Sequence, residues 1–126
     1  MSDRLDYMVA SLDKSEMSLM SLFGNSIKKR VGRENRVSRD EILDGFRSKG
    51  YKITDEIVKR LIYQCQVRSI VPHVLYDGYE LWIEEDSKEL YKYKQSLIQW
   101  ANEETGRLKH ILTSVANAIG KQIDKK

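Results

Sequence analysis

Apolar positions recur every three or four residues through most of the chain and switch to alternation only once. The first row is short: Leu5, Met8, Val9 and Leu12 predict, for residues 1–12, either a brief amphipathic helix or an arm that packs on a partner, because so short a segment does not sustain a helix alone. A stronger row follows. Asp13 and Glu16 stand three apart as a capping box ahead of Met17, Met20, Phe23 and Ile27, which predicts a helix from about 14 to 30, ending as Gly32 approaches. Val37 is a candidate short strand. Ser38 and Glu41 repeat the capping box before Ile42, Leu43 and Phe46, and Lys49-Gly50 stops this short second helix. Thr54 caps a third, in which Asp55 and Glu56 suit the dipole and Ile57, Val58, Leu61, Ile62 and Cys65 form the buried stripe. Lys59, Arg60, Tyr63, Gln64 and Arg68 are left for the opposite face.

Alternation appears between Ser69 and Ile83, with Asp77-Gly78 as the turn signal of a β-hairpin, since both central residues of a type I′ turn need positive φ. Counting outwards pairs Tyr76 with Tyr79, Val74 with Leu81 and Pro72 with Ile83 on one face, and Leu75 with Glu80 and His73 with Trp82 on the other. Glu84-Glu85-Asp86 ends the strand, and Asp86 with Glu89 offers a third capping box. From there to Asp124 the pattern allows one helix, about 55–60 Å long at 1.5 Å per residue. Its apolar row runs Leu90, Tyr93, Leu97, Trp100, then Leu108, Ile111, Val115 and Ala118 or Ile119, a broken coiled-coil heptad with a stutter near Glu104. Thr105-Gly106 marks the expected kink or break. The fold class is therefore mainly α with a small β-hairpin (α+β), divided as an N-terminal segment 1–12, a compact domain 13–85 and a C-terminal helix 86–126.

Composition narrows the function. At 126 residues, with 40% hydrophobic and 33% charged residues, the chain suits one compact domain plus one extended element. Seven Gly and one Pro favour long regular elements. No run approaches a membrane span, and the N-terminus does not read as a signal peptide. Cys65 is the single cysteine; alone it forms neither an internal disulfide nor a structural zinc site, which fits a reducing cytoplasm and a packing role. His73 and His110 have no Cys or acidic neighbours at metal-ligand spacing, and there is no Gly-rich phosphate loop or nucleophile signature. No enzyme, cofactor, metal or small-molecule ligand is expected.

The net charge is only +3, yet residues 28–68 carry twelve Lys or Arg against six Asp or Glu. Lys28, Lys29, Arg30, Arg33, Arg36 and Arg39 fall within twelve residues before the second helix. A basic block in a folded region points to a polyanion.

Three helices, the second and third short and tightly joined, followed by a hairpin, resemble the winged helix-turn-helix architecture over residues 14–83. The tail, with Glu89-Leu90-Tyr91-Lys92-Tyr93-Lys94-Gln95-Ser96-Leu97 at its start, is similar to the dimerisation helix of replication terminator proteins and PadR-like repressors. The resemblance implies a homodimeric, sequence-specific binder of double-stranded DNA, a transcriptional regulator in the cytoplasm, nucleoid-associated if the chain is bacterial or archaeal. The alternatives are a replication-terminator or architectural DNA-binding protein, and a winged helix used for protein–protein contact. By that analogy Lys59, Arg60, Tyr63 and Gln64 face the major groove, where Arg reads guanine and Gln adenine, and Arg68 on the same face is a further DNA-binding candidate. Lys28, Lys29, Arg30, Arg33, Arg36, Ser38 and Arg39 meet phosphates, the last two at a helix N-terminus. The wing tip, Tyr76-Asp77-Gly78-Tyr79, departs from a basic wing and offers Tyr76 and Tyr79 instead. The dimer is expected on Leu97, Trp100, Leu108, Ile111, Leu112, Val115 and Ile119, because the row has no remaining partner within so small a domain.

Overall fold

The computed structural model describes residues 3–125. They form α1 (Asp3–Val9), α2 (Lys14–Ile27), a 3-10 turn (Arg33–Asn35), β1 (Val37–Ser38), α3 (Arg39–Ser48), α4 (Asp55–Val67), β2 (Val74–Tyr76), β3 (Glu80–Ile83), α5 (Ser87–Asn102) and α6 (Gly106–Asp124). The fold is mainly helical with a three-stranded antiparallel sheet in the order β1-β3-β2. Val37 is indeed in a strand, paired with Leu81.

Helix starts follow their caps. Asp13 with Glu16 and Ser38 with Glu41 form reciprocal boxes at α2 and α3, and the Thr54 hydroxyl accepts the Ile57 N–H at α4. Asp86 caps α5 differently: its carboxylate accepts the Lys88 N–H at 2.9 Å instead of joining a box with Glu89. α2 ends at Ile27, sooner than periodicity indicated, because the chain turns there to dock on β3.

The hairpin register is displaced from the expected one. Val74 pairs with Ile83, Leu75 with Trp82 and Tyr76 with Leu81, so the turn centres on Gly78-Tyr79. Asp77 is the cause. Its carboxylate accepts the N–H groups of Tyr79 at 3.0 Å and Glu80 at 2.7 Å, and within the turn only Gly78 has positive φ, at 99°. That is the geometry of a turn with glycine at its first central position. Each partner moves by two residues, so the faces survive.

Both faces of the sheet are buried. Val37, Val74, Leu81 and Ile83 join α2, α3 and α4 in one core around Phe23, Ile27, Val58 and Leu61. Leu75 and Trp82 join Tyr63 and the C-terminal helices in a second core around Leu90 and Ile119. Gln66 ties α4 to the sheet, donating to the Val74 carbonyl at 3.0 Å. The α4 helix is consequently enclosed: Arg60 to Gln66 are all buried.

The tail is the main correction to the sequence reading. In place of one extended helix, α5 and α6 form an antiparallel hairpin, the most extensive helix pairing in the molecule. The break falls at Gly106, whose φ of +65° no right-handed helix can continue through. Reversal supplies the partner that periodicity could not identify. Leu97, Ile111, Leu112, Val115 and Ile119 are buried within the chain, Leu108 is half-buried, and of the expected dimer row only Trp100 is exposed, at 51%. Covered within its own chain, this row does not call for a second copy. Likewise α1 packs on α4 and α6 of its own chain. Among the described residues no helix is long and apolar enough to cross a membrane.

Candidate nucleic-acid interface

The basic segment runs beside β3, joined to it first by a parallel bridge between Val31 and Ile83 and then by the antiparallel pairing of β1. The Ile83 N–H donates to the Arg30 carbonyl at 2.7 Å, and the Gly32 N–H returns a bond to the Ile83 carbonyl at 2.8 Å. The Arg33 guanidinium lies 4.9 Å from the centre of the Trp82 ring. Arg36 pairs with Glu80 at 2.9 Å and also donates to the Arg33 carbonyl at 3.0 Å. Arg39 lies over the Tyr79 ring at 5.8 Å, donates to the Gly78 carbonyl at 3.4 Å and approaches Asp55 at 3.2 Å. Arg30, Arg33, Arg36 and Arg39 thus meet Ile83, Trp82, Glu80 and the turn residues Gly78 and Tyr79 in order, giving an arginine ladder about 13 Å long at about 3.3 Å per strand residue.

The charge of the ladder is unevenly available. Among the described residues Lys28, Lys29, Arg30 and Arg33 make no ion pair, whereas Arg36 and Arg39 each have a carboxylate partner. Lys28, Lys29 and Arg33 are exposed and Arg30 half-buried. Ser38 is buried, and its hydroxyl is used twice by Glu41, accepting from the backbone N–H at 3.1 Å and donating to the carboxylate at 3.2 Å. Its expected role as a phosphate ligand is corrected accordingly: the start of α3 is already satisfied and carries Asp40 and Glu41.

The α4 face chosen for base reading is not a surface. Arg60 is 3% exposed, and its guanidinium binds the Glu16 carboxylate at 3.0 and 3.3 Å. It also donates to the carbonyls of Tyr7, Ala10 and Ser11 and sits over the Tyr7 ring. The Gln64 amide donates to the carbonyls of Met8 and Ala10 at 2.8 and 3.3 Å. These acceptors belong to the last turn of α1 and the connection after it, where a helix leaves carbonyls unsatisfied and a cation is favoured. Tyr63 is buried against α5 and α6. Sequence reasoning misplaced Arg60, Tyr63 and Gln64 because a polar residue opposite an apolar stripe reads as solvent-facing unless a further helix is known to cover it. The amphipathic row of α1 hinted at such a cover, but not at its location. Lys59 is half-buried, and Arg68 is exposed with its Nε donating to Gln64 at 2.9 Å.

At the tip of the β2–β3 hairpin, Tyr76 is half-buried and its hydroxyl donates to the Gly78 carbonyl at 3.0 Å. Tyr79 is 47% exposed and its hydroxyl donates to Asp40 at 3.3 Å. The hydrogen bonds from two backbone N–H groups hold the Asp77 carboxyl below the usual carboxylate range. Those from Arg60 and the Asp13 backbone do the same for Glu16. Among the described residues no group of three or more His, Cys, Asp or Glu is placed to hold a metal ion. No protein family, curated protein or solved structure matches the chain.

Proposed function

We propose that residues 14–83 are a winged helix and that the protein binds double-stranded DNA through its phosphate backbone, in an architectural or regulatory role. The strand order β1-β3-β2 and the sequence helix, strand, helix, helix, hairpin support the architectural part. The observation that carries the function is the arginine ladder along β3, continued by Lys28 and Lys29 at the end of α2. Base reading by α4 is not part of the proposal, since Arg60 and Gln64 are engaged within the chain. Selectivity among duplex sequences is therefore low. One chain carries the ladder, so no second copy is required.

Fluorescence anisotropy with a random 20-base-pair duplex tests this. With four unpaired cations, log Kd should rise with log salt with a slope of about 3–4, and Kd should be about 1–100 µM near physiological salt. The triple variant Lys28→Ala, Lys29→Ala, Arg33→Ala should lower the slope to about 1. No binding at low salt would end the proposal. The second reading, a winged helix used for protein contact, is favoured by the exposed Tyr79 on a wing tip without Lys or Arg. It predicts no duplex binding and loss of a partner on Tyr79→Ala.

A further inference from the structure

The two cores meet along a seam, and the seam is open on one side. A cleft of about 600 Å³ lies between α1, α4, the wing turn and the α5–α6 hairpin. Its volume is that of small-molecule sites, which run from roughly 300 to 1,000 Å³. Its walls are chiefly apolar: Leu5 and Met8 from α1, Ile62 from α4, and Leu108, Ile111 and Leu112 from α6. Trp100 stands at the rim, 51% exposed.

A few polar groups point to what such a cleft would hold. Lys59 is half-buried and, among the described residues, its ammonium has neither an ion pair nor a hydrogen bond. Tyr63 is 5% exposed and Tyr93 half-buried, and neither hydroxyl has a hydrogen-bond partner among the described residues. Burial raises the Tyr93 phenol above its ordinary pKa. The one carboxylate at the cleft, Asp77, is turned to the wing backbone by its bonds from Tyr79 and Glu80. An unpaired cation and two hydroxyls without a protein partner beside an apolar wall complement an anionic, hydrogen-bond-accepting head on an apolar body.

We propose that this cleft binds a small amphipathic acid, its apolar body against α6 and its carboxylate at Lys59, with the tyrosine hydroxyls as further donors. The proposal stands apart from the DNA-binding reading, because no residue of the arginine ladder lines the cleft. Dodecanoate and dodecan-1-ol are matched probes, with and without the charge. Calorimetric titration of the full chain should give one dodecanoate site, with the alcohol about tenfold weaker. Lys59→Met keeps the apolar stem, and it should weaken dodecanoate about tenfold while leaving the alcohol unchanged. Ser96 is exposed at the edge of the cleft, so Ser96→Trp should block both probes without disturbing either core, with unchanged circular dichroism as the check. Quenching or enhancement of Trp100 emission should accompany binding and be lost in Trp100→Phe. The proposal is overturned by no binding of dodecanoate at 1 mM, by equal affinity for the alcohol, or by indifference to both Ser96→Trp and Lys59→Met. It is also overturned if sedimentation shows a dimer that Ser96→Trp dissociates, since a second copy would then be the occupant.

Discussion

Replacing Arg60 by alanine removes a guanidinium that is 3% exposed and donates five hydrogen bonds, two to Glu16 and one each to the carbonyls of Tyr7, Ala10 and Ser11. Removing one partner of a fully buried ion pair costs about 3–5 kcal/mol, because the other charge is stranded. Here the penalty is smaller. The Glu16 side chain is 29% exposed, and Ala10 and Ser11 are exposed, so water can reach most of the acceptors left behind. We expect a loss of about 2–4 kcal/mol, part of it from the apolar stem of the arginine. For a chain of this size that is a fall of roughly 10 °C in Tm. Urea denaturation followed by circular dichroism measures it, and a double-mutant cycle with Glu16→Gln should return a coupling energy above about 0.5 kcal/mol. Arg60→Lys should not restore stability, because an ammonium cannot serve a carboxylate and three carbonyls through a planar fork. If Arg60→Ala unfolds within about 0.5 kcal/mol of the parent, as a solvent-facing residue does, Arg60 is not sealed beneath α1.

Three further outcomes follow from the same geometry. The carboxyl of Glu16 is held below its ordinary pKa of 4.5 chiefly by Arg60, so its folded form binds protons less readily than its unfolded form. Its contribution is present above about pH 4.5 and is lost as pH falls through the lower folded value; Glu16→Gln should therefore flatten the acid limb of a stability–pH curve, with Asp77 accounting for part of what remains. Ile119 is fully buried in the second core, so Ile119→Ala should cost about 2–5 kcal/mol in urea melts, and truncation after residue 104 should give an unfolded or aggregating product; a well-folded truncated monomer would contradict the second core. Burial pushes the Cys65 thiol up to about 12, so a disulfide reagent at pH 8 should label it no faster than the chain opens, and stoichiometric labelling within seconds would place it at the surface.

Much of the local structure was legible in the residues themselves. The capping boxes at Asp13 and Ser38, the Thr54 cap, the buried row from Val58 to Cys65 and the two faces of the hairpin each depend on neighbours within a few positions, where side-chain chemistry and backbone geometry act directly. The break at Gly106 belongs with them, since a glycine beside threonine is a local signal. What lay beyond the sequence was the direction taken after each break. Periodicity says which residues need covering, not what covers them. The row Ile111, Leu112, Val115 and Ile119 read as an interface with another chain because the return of α6 onto α5, α4 and the sheet is a tertiary event. By the same logic Arg60 and Gln64 read as solvent-facing until α1 was seen to place its terminal carbonyls over them. The arginine ladder needed β3 as a template, so only its composition, not its three-residue spacing along a strand, could be recognised beforehand. The cleft at Lys59 exists only where two separately packed cores meet, which is why no ligand was expected from the sequence. Short-range chemistry set the elements of this protein, and the competition among apolar faces for the nearest available partner decided which of its polar residues remain on the surface.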